Sequence, residues 1–67
     1  MNELGETIKA RRKMLHITQR TLAELADVSI NTLNKIEIGE ANPSYVVLKK
    51  ILDTLGLEIK VVVKKNE

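Results

Sequence analysis

The chain has no cysteine, tryptophan or phenylalanine, and one histidine, one tyrosine and one proline among its 67 residues. Without cysteine, neither a disulfide nor a thiolate zinc site can staple the fold, so aliphatic packing, helped by a second chain, must hold it together. That absence also suits a reducing cytosol. A lone tyrosine, Tyr45, rules out the aromatic platforms on which single-strand and RNA-binding domains stack bases, which leaves duplex DNA as the better nucleic-acid partner. A lone histidine, His16, can form neither a metal-binding pair nor a catalytic triad. No nucleophile set or phosphate loop accompanies it, so no enzyme, cofactor or metal site is expected. No apolar run approaches the ~20 residues of a membrane span, and the opening MNELGETIKARRKML lacks a signal peptide's apolar stretch and carries acids early. A cytoplasmic protein without a membrane partner is the expectation.

What is present points to one small helical domain. Hydrophobic residues make up 43% and charged residues 30%, which is too apolar for a disordered chain. Eleven Lys and Arg against nine Asp and Glu leave a net charge of +2, too small to identify a nucleic-acid partner by itself. Leu4, Ile8 and Leu15 recur at helical spacing, with Asn2 as a cap, predicting a first helix over roughly 3–15. His16 follows at a position where helices commonly close in the left-handed conformation. Thr18 supplies a hydroxyl cap for a second helix over about 19–26, whose apolar face is read as Leu22, Ala23, Leu25 and Ala26. After a break at Asp27-Val28, Ser29 caps a third helix that carries Leu33 and Ile36 and ends near Ile38, with Gly39 as terminator. Asn42-Pro43 mark a turn, and Ser44 caps a fourth helix bearing Val47, Leu48, Ile51, Leu52 and Leu55, closed by Gly56. Met14 and Tyr45 are read as packing residues.

The remaining LEIKVVVKK changes period. Leu57, Ile59, Val61 and Val63 alternate with Glu58, Lys60, Val62 and Lys64, which predicts a strand. No second strand-like run exists in the chain, and a lone strand leaves its backbone donors, acceptors and apolar face unsatisfied. Pairing with the same segment of a second copy about a two-fold axis is the simplest solution. The division expected is therefore a domain over 1–56 and a dimerisation strand and tail over 57–67.

Two short helices joined by a three-residue break, with small Ala23 at the crossing and Val28 in the turn, are the ingredients of a helix-turn-helix. With Leu33 and Ile36 facing inward, Ile30, Asn31, Asn34 and Lys35 share the outward face of the third helix. Asparagine can be bidentate to adenine, lysine can donate to guanine, and Ile30 can meet a thymine methyl group. Ser29 and Thr32 add short hydroxyl donors. Taken alone, the same side chains would also make an ordinary solvated helix face, as would the basic run Lys9, Arg11 and Lys13, and Arg20 has Glu24 as a local partner at i+4.

Residues 4–56, LGETIKARRKMLHITQRTLAELADVSINTLNKIEIGEANPS and onward to LDTLG, resemble the lambda-repressor-like, or Cro/C1-type, helix-turn-helix domain. The most specific elements are Thr18-Gln19, Leu22-Ala23, Leu25-Ala26, Val28-Ser29, Leu33, Ile36-Glu37, Gly39 and Pro43-Ser44. The resemblance implies an all-α bundle of four helices, here joined to the C-terminal strand. It implies that Gln19 sits at the DNA backbone and buttresses base contacts, and that Arg12 pairs with Glu37. Thr18, Gln19, Arg20, Ser29, Ile30, Asn31, Thr32, Asn34 and Lys35 then form the DNA-binding set. Leu57, Ile59, Val61 and Val63 form the dimerisation strand. His16 and Asp27 stand where the family usually has glycine, so both must take a positive φ. Ile38 and Glu40 stand where it often has polar or basic residues, which implies a weaker grip on phosphate. The implied function is a sequence-specific transcriptional regulator, a repressor, that binds a palindromic double-stranded DNA operator as a homodimer. The tail DTLGLEIKVVVKK is also similar to HipB-type antitoxins, which implies the alternative of an antitoxin that holds a HipA-like kinase toxin and autoregulates its operon.

Overall fold

The computed structural model describes residues 3–65, which form four helices: α1 (Glu3–Met14), α2 (Gln19–Ala26), α3 (Ile30–Glu37) and α4 (Tyr45–Leu55). The Asn2 cap expected for α1 lies outside the described residues. Each of the other three helices starts on the hydroxyl read from the sequence. Thr18 accepts from the Thr21 N–H, Ser29 from the Thr32 N–H and Ser44 from the Val47 N–H, satisfying amides that have no partner inside a helix.

All four helices end in the same way. His16 (φ 59°), Asp27 (φ 56°), Gly39 (φ 82°) and Gly56 (φ 72°) take the left-handed conformation. In each case that residue's N–H reaches back three residues and the next residue's N–H reaches back five, as in His16 to Lys13 and Ile17 to Arg12, or Gly56 to Asp53 and Leu57 to Leu52. This double bond pattern satisfies the last free carbonyls. It also turns the following apolar residue inward: Ile17, Val28 and Leu57 are half-buried against the core. Two of the four closures are made without glycine, so His16 and Asp27 carry backbone strain that the surrounding bonds must hold.

The core consists of Ile8, Leu22, Ala23, Ala26, Leu33, Ile36, Ile51, Leu52 and Leu55. α2 packs against α3 and α4, and α1 closes the bundle against the same two helices. Arg11 adds a polar clasp that the sequence did not signal, its Nε donating to the Leu55 carbonyl at 2.9 Å, at the end of α4. Three apolar expectations are corrected. Leu25 is 65% exposed, because at 100° per residue it lies on the flank of the face shared by Leu22, Ala23 and Ala26. Met14, at the end of α1, and Tyr45, at the start of α4, also face solvent rather than the core.

The C-terminal strand is the fourth correction. Among the described residues there is no strand, and 57–65 have no regular secondary structure. A single copy offers this segment no ladder partner, and a ladder is what defines a strand. Leu57 packs on the core and Ile59 lines a groove with Tyr45, Leu52 and Leu57, whereas Val61 and Val63 are 95% and 93% exposed. Residues 66–67 of the expected tail lie outside the described residues.

Candidate nucleic-acid interface

The corner between α2 and α3 is set by a buried ion pair beneath it. Arg12, in the last turn of α1, projects under α3. Its Nε and Nη2 donate to the two carboxylate oxygens of Glu37 at 2.8 and 3.0 Å, while its Nη1 donates to the Ile17 carbonyl at 3.0 Å. Arg12 is 8% exposed and Glu37 is 5% exposed, so both charges are removed from water. The fork-to-carboxylate geometry is the one in which arginine best offsets that cost.

Glu37 takes one further bond, and this bond links the buried pair to the surface. Gln19, the first residue of α2, donates its Nε2 to Glu37 Oε1 at 3.0 Å and to Asn34 Oδ1 at 3.2 Å. Both amide hydrogens of Gln19 are thereby committed, one to the buried carboxylate and one to an exposed side chain of α3. A continuous chain, Arg12–Glu37–Gln19–Asn34, runs from α1 through the junction to the outer face of α3. Burial pushes the Glu37 carboxyl pKa up, but the bonds from Arg12 and Gln19, with the positive charges of Arg12 and Lys9, outweigh it and hold the group below its ordinary value. The Arg12 guanidinium is raised above its ordinary value, first by its bond to Glu37.

On the outward face of α3, Ile30, Asn31, Asn34 and Lys35 are all exposed, and Thr32 is half-buried. Asn34 is steadied through Gln19, whereas Asn31 and Lys35 engage no other side chain among the described residues. Thr18, Arg20 and Ser29 are exposed at the two helix starts. The hydroxyls of Thr18 and Ser29 are partly occupied. Besides capping, Thr18 donates to Thr21 Oγ1 at 3.1 Å and Ser29 to Thr32 Oγ1 at 2.8 Å. The structure therefore places Gln19 and Asn34 in contact, collects Ile30, Asn31, Asn34 and Lys35 on one face, and keeps Arg20 separate from Glu24, its expected local partner. The resemblance implied that Gln19 buttresses base contacts, but the partners bridged by its one amide, Asn34 and Glu37, had no signal in the spacing of residues 19, 34 and 37, which does not record the crossing of two helices.

A helix-turn-helix family profile matches residues 8–62. The chain belongs to the Cro/C1-type helix-turn-helix family. This helix-turn-helix chain is 38% identical over 60 residues to the immunity repressor protein of Bacillus phage phi105, an alignment that takes in 90% of the chain but only 42% of that repressor. It thus spans about two-fifths of the length of that relative. Among solved structures it is similar to the restriction-modification controller protein C.AhdI from Aeromonas hydrophila, with a TM-score of 0.81 at 26% identity, covering 85% of this chain and 86% of that one. Neither similarity lends support to the kinase-toxin partner that the tail's resemblance implied. Among the described residues, no helix is long and apolar enough to cross a membrane.

Proposed function

We propose that this chain is a DNA-binding transcriptional regulator, acting as a repressor, which occupies a two-fold-symmetric operator as a homodimer. The observation that carries the reading is the buried chain from Arg12 to Asn34. Holding two charges out of water is costly, and here the arrangement ends on an amide at the exposed face of α3. The relatives support the same direction, one being a phage repressor and the other a controller protein.

In this reading α3 lies in the major groove of each half-site. Asn31, Asn34 and Lys35 read base edges, Ile30 meets a thymine methyl group, and Thr32 and Ser29 add short polar contacts. Thr18, Gln19 and Arg20 at the start of α2 lie along the phosphates and fix the register in which α3 reads. One domain of this size makes few contacts, so two are coupled through the tails, which makes the second half-site contact intramolecular. Half-sites are then about 34 Å apart, one turn of the duplex. Repression follows from occupancy alone and needs no chemistry.

A salt titration with duplex DNA, read by fluorescence anisotropy, tests this. Affinity should fall log-linearly with salt, with a slope of about 0.9 per phosphate contact. Binding that ignores salt, or no binding at the lowest salt, would contradict it.

A further inference from the structure

We infer that the tails of two copies pair antiparallel about a two-fold axis passing through Val61, in a register that sets Glu58 against the partner's Lys64. The inference rests on the homodimer reading above and specifies its interface. In a self-paired antiparallel ribbon, residues directly opposite share a face, so only registers that set odd-numbered positions against odd ones keep Leu57, Ile59, Val61 and Val63 on a common apolar side. That leaves five axes within the run from Ile59 to Val63; like charges rule out two of them, and ribbon length and apolar pairing separate the rest.

With the axis at Lys60, Lys60 meets the partner's Lys60. With the axis at Val62, Lys60 and Lys64 oppose each other on both sides. Like charges directly opposite destabilise a pair of strands. An axis at Ile59 pairs Glu58 with the partner's Lys60 but confines the ribbon to 57–61 and leaves Val62 and Val63 outside it, and an axis at Val63 sets Val61 against the partner's Lys65. With the axis at Val61, Glu58 faces the partner's Lys64 on both sides, Ile59 faces the partner's Val63, Val61 faces itself, no two like charges are opposed, and Lys65 falls opposite only Leu57, whose side chain is already seated on its own core.

The structure leaves these groups available for such a partner. Lys49 and Asp53, on α4 beside Glu58, already pair with each other at 2.8 Å. Glu58, Lys60 and Lys64 have no ion-pair partner among the described residues, and Val61 and Val63 are almost wholly exposed. A two-stranded ribbon alone is marginal, but this one would be anchored at both ends. Leu57 is seated on the core in each copy, and Ile59 lines the groove with Tyr45 and Leu52. The partner's Val63, opposite Ile59, would therefore be carried to the rim of that groove, against the apolar part of a lining that also includes Lys49, Asp53 and Glu58.

Because the chain lacks cysteine, single cysteines can be placed at each position from 59 to 63 and oxidised mildly. Opposed residues in an antiparallel ladder have Cα atoms about 4.5–5.5 Å apart, within disulfide reach. The proposed axis gives that spacing at Val61→Cys, about 8 Å at Lys60→Cys and Val62→Cys, and about 14 Å at Ile59→Cys and Val63→Cys. Covalent dimer on a non-reducing gel should peak at Val61→Cys. Lys64→Glu should weaken dimerisation roughly 2- to 30-fold, from two pairs of 0.2–1 kcal/mol each, and adding Glu58→Lys should restore it. A peak at another position, or no restoration, overturns the register while leaving tail pairing in place. Dimers by sedimentation with no tail cross-link overturn the proposal, and monomers by sedimentation overturn the homodimer reading itself.

Discussion

Replacing Arg12 with methionine tests the buried network that underlies the candidate interface. Glu37 accepts three bonds, from Arg12 Nε, Arg12 Nη2 and Gln19 Nε2. Arg12→Met leaves this carboxylate, only 5% exposed, with a single neutral donor and no bonded counter-charge, only the weaker attraction of Lys9. Breaking a buried pair from one side costs about 3–5 kcal/mol, because the remaining charge is stranded. A domain of 67 residues has only about 3–10 kcal/mol in total. The melting temperature should therefore fall by at least about 12 °C, and Glu37→Leu should act similarly by stranding Arg12. The double variant Arg12→Met/Glu37→Leu strands neither charge and should be more stable than either single variant. Far-ultraviolet circular dichroism is the appropriate probe, since Tyr45 is the only aromatic residue and it faces solvent. A single variant that loses under about 1 kcal/mol, or a double variant that loses the sum of the two, would refute the reasoning. The double variant also removes the support of Gln19, so it should keep its fold while binding DNA less selectively.

Further outcomes follow from the same groups. Because the Glu37 carboxyl is held below its ordinary value in the fold, its contribution is fully present above the unfolded value, about pH 4.3. It is lost as pH falls through the folded value, so urea midpoints should drop more between about pH 5 and pH 3 in the wild type than in Arg12→Met/Glu37→Leu. His16→Gly should stabilise the chain by about 0.5–1 kcal/mol, since relief of left-handed strain at φ 59° outweighs glycine's greater freedom when unfolded. A melting temperature that falls would contradict this. Asp27→Gly should gain less, because aspartate tolerates that conformation better. Asn34→Ala should cost about 1–3 kcal/mol at one base pair of the operator, with little change elsewhere.

Much of the fold was legible because its signals are local. Thr18, Ser29 and Ser44 are hydroxyl caps, and Gly39 and Gly56 mark helix ends, each acting within a turn of the chain. The positive φ at His16 was legible from its place just past the first helix, and at both His16 and Asp27 from the glycines that a resembling family has there. The outward set on α3 followed from placing Leu33 and Ile36 inward. Features that depend on how helices cross were not legible. Leu25 sits on the edge of its helix's apolar face and falls on the solvent side. Arg11 reads as one more charge in a basic run, yet it clasps the end of α4, forty-four residues away. The tail's alternation was legible, but a ladder needs a second chain, so one copy holds residues 57–65 without it.

The most direct measurement is selection from a random pool of duplex DNA, performed in parallel with the wild-type chain and with Asn31→Ala. If the outer face of α3 reads base edges, the wild type should enrich a sequence with two-fold symmetry and half-sites about one helical turn apart, and Asn31→Ala should relax preference at a single position in each half. Enrichment of no sequence by the wild type, or an Asn31→Ala profile weakened equally at every position, would contradict the account.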